Sequence, residues 1–172
     1  IDSNYVSDVE TEARKCHLER RMPGVKMLYA RTGIPYNDPV FDPWWKIAEE
    51  NHLFALMDYG VHPNFLETVE ELAIRYPNVS FFLDHAGRSW EAAVANAPYA
   101  KKYENIYLQI TYTTVTQGVI EYFAGEGLAS KTLYGTDSPM RDPRQQLGWV
   151  AFANISSEDK KMILGENMRR IY

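Results

Sequence analysis

The chain has 172 residues, 45% hydrophobic and 24% charged, proportions of an ordinary folded domain that exclude a disordered or membrane-spanning class. Eighteen Lys and Arg stand against 23 Asp and Glu, a formal net charge of −5 without a long run of one sign, which argues against a nucleic-acid partner. The one cysteine, Cys16, rules out an intramolecular disulfide and a cysteine-cluster metal site, so a reducing cytoplasm is the expected compartment.

No apolar stretch approaches the roughly 20 residues of a spanning helix, and residues 1–172 read as one domain. In chain order, Val9, Ala13, Cys16 and Leu18 predict a helix over 6–21, ended by Pro23 and Gly24. Val25 to Ala30 reads as a buried strand, and a loop rich in breakers follows, from Gly33 to Pro39. Asp42 before Pro43 is expected to cap a helix carrying Trp44, Trp45 and Ile47, where at least one tryptophan packs inward.

The same alternation then repeats. Leu53 to Met57 is a strand ending in Asp58-Tyr59-Gly60, and Leu66, Val69, Leu72 and Ala73 set a helix over 64–76. Val79 to His85 is a strand; Ser89 caps a helix that Pro98 is expected to interrupt. Ile106 to Tyr112 is a strand, Val115 to Phe123 a helix, Lys131 to Gly135 the last strand, and Ser156 opens a closing helix. Strands recurring at this spacing, each followed by a helix, predict right-handed crossovers and a parallel sheet. An open doubly wound sheet and a (β/α)₈ barrel share the pattern. No G-x-G-x-x-G follows the first strand, and Arg31-Thr32-Gly33 is too slight for a phosphate loop, so the open sheet loses its main support. A complete barrel needs about 250 residues. The expected fold is therefore α/β, a partial TIM-type (β/α)₈ barrel of about five βα units.

Ligands of such folds bind where the strands end. Those ends carry Arg31, then Asp58-Tyr59-Gly60 with His62 nearby, then Asp84-His85-Ala86-Gly87-Arg88, then Thr111-Tyr112-Thr113, then Gly135-Thr136-Asp137. His85 is either a core histidine satisfied by a carbonyl or a proton shuttle, and Asp137 either caps a turn or ligates a metal. Asp58 is equally divided, since a carboxylate ending an apolar strand is costly to bury without a cation. His62 lies further out, solvent-exposed or substrate-facing, and His17 and His52 read as structural.

Four stretches, Pro77 to Gly87, Tyr103 to Leu108, Leu133 to Pro139 and Ile163 to Tyr172, together resemble the amidohydrolase-related family that includes aminocarboxymuconate semialdehyde decarboxylase, over the chain from about Pro23. The resemblance implies a catalytic barrel in which Asp137 is a metal ligand and His85 the acid–base partner. Asp58-Tyr59-Gly60 stands where the family usually has His-Thr-Gly, making Asp58 the ligand there and favouring a harder ion. The His-x-His pair expected on the first strand does not occur in the chain, so the expectation is a piece of a longer protein whose missing units carry that pair. The expected function is metal-dependent hydrolysis or non-oxidative decarboxylation of a small carboxylate-bearing substrate. It would use zinc or manganese, with Arg31 or Arg88 offered to the carboxylate and Tyr59 and His62 facing the substrate. The alternative is a catalytically degenerate barrel segment acting as a binding or assembly module. Exposed sheet edges predict a homo-oligomer.

Overall fold

The computed structural model describes residues 8–60, 62–111 and 115–172. Its five strands, β1 (Gly24–Met27), β2 (Phe54–Asp58), β3 (Ser80–Asp84), β4 (Ile106–Ile110) and β5 (Thr132–Tyr134), form one parallel sheet in chain order. Consecutive strands lying parallel require a crossover each time, and the sequence supplies a helix for it. The expected α/β architecture is the one observed. The chain divides into two compact units, one up to Phe82 and one from Leu83.

In the first unit, α1 (Val9–Arg14) starts where Asp8 accepts the Thr11 N–H at 3.1 Å, and it runs into a π-helical turn, Lys15–Glu19. Residues 6 and 7 of the expected helix lie outside the described residues. β1 pairs with β2 from Gly24 opposite Phe54 to Met27 opposite Met57. The expected strand through Ala30 stops at Met27. Tyr29–Thr32 is instead one helical turn, α2, closed by Gly33 with φ 65°; the Tyr29 N–H is taken by the Tyr36 hydroxyl and so leaves the ladder. The helix carrying the tryptophans, α3 (Asp42–Glu50), is preceded by a 3₁₀ turn, Pro39–Phe41. Asp38, rather than Asp42, does the capping by accepting the Val40 N–H at 2.9 Å. Both tryptophans are buried: Trp45 donates to the Tyr36 carbonyl at 2.9 Å and Trp44 to His17 Nε2 at 2.8 Å. A fused aromatic core follows, continued by the buried face of α4 (Phe65–Arg75).

In the second unit, α5 (Trp90–Lys102) is capped by Ser89, which accepts the Ala92 N–H at 3.1 Å. Pro98 does not interrupt it. Pro98 and Val94, whose carbonyl it deprives of a partner, are both exposed, so water replaces the lost bond. β4 pairs with β5 from Leu108 opposite Thr132 to Ile110 opposite Tyr134. Between them α6 (Val119–Gly125) buries Val119, Ile120 and Phe123. A helix the periodicity does not reveal, α7 (Pro143–Phe152), is set by Asp142 at its cap and Pro143 at its first position. Its sequence, with Gly148 inside and Leu147 and Phe152 exposed, has no apolar stripe to read. Ser156 caps α8 (Ser157–Lys161) as expected, and α9 (Asn167–Ile171) closes the chain.

Asn167 fastens this closing segment to the sheet. Its buried Nδ2 donates to the carbonyls of Ala129 and Thr132 at 2.7 and 2.8 Å. Replacing Asn167 with Ala strips both carbonyls of a buried partner, and a loss of about 1–3 kcal/mol in chemical denaturation is expected. Among the described strands β1 and β5 end the sheet order, and Met140, Leu147 and Phe152 are exposed apolar side chains. Light scattering is therefore expected to give a species larger than one chain; a monodisperse monomer contradicts this.

Candidate functional site

In the first unit β2 closes on the half-buried Asp58. The following turn needs a glycine: Gly60 has φ 26°, and a Cβ on it would lie 2.7 Å from Asp58 Oδ1. Tyr36, 1% exposed, ties two strand ends together. Its hydroxyl accepts the Tyr29 N–H at 3.0 Å and shares its own proton between the carbonyls of Met27 and Asp58, at 3.1 and 3.0 Å. Nothing in the loop sequence around Tyr36 advertised this role.

The Tyr36 N–H donates to His62 Nε2 at 3.2 Å, so that nitrogen carries the lone pair, and Nδ1–H donates to the Pro63 carbonyl at 2.6 Å. His62 is 7% exposed and lies at a tilt 4.4 Å from the Tyr36 ring. The expectation of a solvent-exposed loop histidine is thereby corrected: hydrogen bonds to backbone groups engage both ring nitrogens. Burial pushes its pKa below 6.5, because the imidazolium would lose its water. Tyr59 meets Phe65 edge-on at 5.0 Å, and Tyr59 and His62 line a hollow of about 440 Å³ with Gly60 and Asn64. Arg31 is exposed on α2.

In the second unit β3 ends on Asp84, wholly buried, and His85, 6% exposed. The His85 N–H donates to Asp84 Oδ1 at 3.0 Å. Nδ1 of the ring lies 2.8 Å from the Thr111 carbonyl and 3.3 Å from Asp84 Oδ1. Both neighbours are acceptors, so Nδ1 bears the proton and Nε2 the lone pair, the form that ligates a metal or takes a proton. A carbonyl thus orients one ring nitrogen of His85, as the reading of a core histidine expected. Arg88, half-buried, donates its N–H to the His85 carbonyl at 3.1 Å.

Asp137 follows β5, half-buried, with its carbonyl accepting the Arg141 N–H at 3.0 Å. His85 and Asp137 share an unusual backbone, both with φ 59°. A left-handed conformation costs a residue bearing a Cβ, and such strain clusters where side chains must be aimed. Asp84, Gln109 and Thr111 were not among the residues singled out from the sequence. Asp84 and Thr111 had the signal of a strand end, and Gln109 that of a polar residue in an apolar strand. Tyr112 and Thr113, also quoted as strand-end residues, lie outside the described residues.

Comparison with known proteins bears on the family and the fold. The family profile described as amidohydrolase matches residues 2–172. A gamma-resorcylate decarboxylase from Rhizobium sp. (strain MTP-10005) is 24% identical over 162 residues, covering 84% of this chain and 49% of the relative. The chain thus spans about half the length of that relative. An uncharacterized TIM-barrel protein from Bordetella bronchiseptica superposes with a TM-score of 0.76 at 18% identity, covering 96% of this chain and 63% of the other. A dihydroxybenzoic acid decarboxylase from Polaromonas sp. JS666, solved with bound manganese and 2-nitroresorcinol, gives a TM-score of 0.67 at 18% identity, covering 95% and 65%. Among the described residues no helix is long and apolar enough to cross a membrane.

The depressed pKa of His62 makes stability depend on pH in one direction. Its neutral form is favoured in the fold, so the contribution is complete above the unfolded pKa of about 6.5 and is lost as pH falls through the lower folded value. Denaturation midpoints should drop between about pH 7 and 5 in the wild type and drop less in His62→Gln, which keeps an acceptor for the Tyr36 N–H. Equal slopes in the two proteins would show that His62 does not drive the dependence.

Proposed function

From the premise that the chain belongs to the amidohydrolase family, whose profile spans residues 2–172, we propose that it forms the C-terminal part of a metal-dependent decarboxylase or hydrolase acting on a small carboxylic acid. The observation that carries this reading is the His85 arrangement: a buried, strained strand-end imidazole with Nδ1 held by a carbonyl and its lone pair on Nε2. The names of the relatives, decarboxylases of hydroxylated benzoates, favour decarboxylation over hydrolysis.

The donor set suits a divalent cation in kind. In the first unit Asp58 ends β2; in the second Asp84 ends β3 with His85 next to it, and Asp137 follows β5. Asp58 and Asp137 are the ligands this reading assigns, with Asp84 added by its burial next to His85. An oxygen-rich set favours a hard ion such as manganese over zinc. A cation held there would polarise an oxygen of the substrate and stabilise the charge that builds on it.

His85 has the proton to move. When the bond between the ring carbon and the carboxylate breaks, carbon dioxide leaves and the electron pair remains on carbon, which must take up one proton. Nε2, once protonated, supplies it, and the Thr111 carbonyl and Asp84 stabilise the resulting imidazolium through Nδ1–H. Arg88, three residues beyond His85, is the group this reading offers to the substrate carboxylate, with Arg31 as the exposed second choice; Tyr59 and His62 form a wall rather than polar contacts. A homo-oligomer in the cytoplasm completes the reading, the single cysteine fitting a reducing compartment.

Elemental mass spectrometry on protein purified without chelator tests the metal assignment. About one manganese or zinc per chain is expected, lost in Asp137→Asn. Protein without metal would overturn the assignment for this chain and leave a degenerate binding module.

A further inference from the structure

We propose that Gln109 and Thr111 form a hydroxyl-recognising subsite beside His85, which selects hydroxylated carboxylic acids over unsubstituted ones. This rests on the reading of the site given above and adds the feature of the substrate that is recognised.

Side chains of a strand alternate between two faces. On β4, Ile106, Leu108 and Ile110 are fully buried; a Cβ at Gly87 would lie 3.5 Å from both Ile110 and Val119 of α6, so this face looks to the helix layer. Gln109 and Thr111 occupy the opposite face. There β5 gives way to Gly135, where a Cβ would stand 2.5 Å from Gln109 Nε2 and 3.1 Å from Thr111 Cβ. Any larger residue at 135 would displace both side chains, so the glycine keeps a space that two polar groups enter.

Those groups are unsatisfied. Gln109 Oε1 and Thr111 Oγ1 are buried and meet no hydrogen-bond partner among the described residues. Buried polar atoms are almost always paired, and each exception calls for a reason, a bound partner among them. Two of the exceptions among the described residues lie on one face at the end of β4, and Thr111 also provides the carbonyl that orients His85 at 2.8 Å. An amide oxygen accepts, and a threonine hydroxyl both donates and accepts. The group that satisfies both is itself donor and acceptor, a hydroxyl. Without a cation in the pair, a carboxylate is the poorer match.

Calorimetric titration of the full chain with 2,6-dihydroxybenzoate and with benzoate tests the subsite. The wild type should bind the dihydroxy acid more tightly, by about tenfold or more, because a site built to bond a hydroxyl rejects the analogue lacking it. Thr111→Val, Gln109→Met and Gly135→Ala should each erode that preference about tenfold, while Thr111→Ser retains it; benzoate bound as in the wild type shows that a variant is folded. Preference unchanged in Thr111→Val and Gln109→Met would overturn the subsite and leave the wider reading standing. A wild type that binds neither acid would overturn the reading itself, and the subsite with it.

Discussion

The hydrogen bond between His85 Nδ1 and the Thr111 carbonyl is the constraint on which the chemistry of the second unit depends. An imidazole with a mobile proton could present either nitrogen; with Nδ1 committed to a carbonyl it presents one. Geometry upstream makes the commitment possible. β3 is buried nearly throughout, which fixes where it ends, and the left-handed backbone at His85 turns the ring out of the strand's alternation towards the end of β4. Asp84, buried beside the ring, costs desolvation that is repaid in part when the ring becomes positive.

The first unit solves a related problem with a tyrosine. Two neighbouring parallel strands end at Met27 and Asp58, and their last carbonyls have no further ladder to bond. One buried hydroxyl takes both, so the backbone at Asp58 is set by Tyr36 before its carboxylate does anything. Gly60 then leaves that carboxylate room. His62 meets the Tyr36 ring at a tilt, 4.4 Å between centroids, and its burial favours the neutral imidazole.

Legibility in the sequence followed burial. β2, β3 and β4 are continuous apolar runs bounded by polar residues, and reading them needed only that contrast. The strand through Ala30 failed because a side chain from seven residues on, Tyr36, captures the Tyr29 N–H, a tertiary event that no local pattern encodes. Pro98 misled because the rule against proline in helices assumes that the lost carbonyl partner cannot be replaced, and on an exposed face water replaces it. α7 escaped because its cap and proline specify it while its side chains carry no stripe. At the strand ends, residue type alone points to His85, Asp58 and Asp137 as candidates, but what Thr111 does lies in its carbonyl and in a hydroxyl with no described partner, and neither is written in a letter code.

If Asp58, at the end of β2, takes the place of the histidine that the family resemblance implies, the kind of donor offered there changes. An imidazole is a neutral donor, whereas a carboxylate such as that of Asp58 brings a negative charge. A more anionic set holds a hard cation more firmly and lowers the effective positive charge left for the substrate's oxygen, so polarisation by the cation is weaker. On the proposed reading, weaker polarisation puts more weight on groups that act on the substrate directly, the role proposed for His85 and for the buried polar atoms of Gln109 and Thr111.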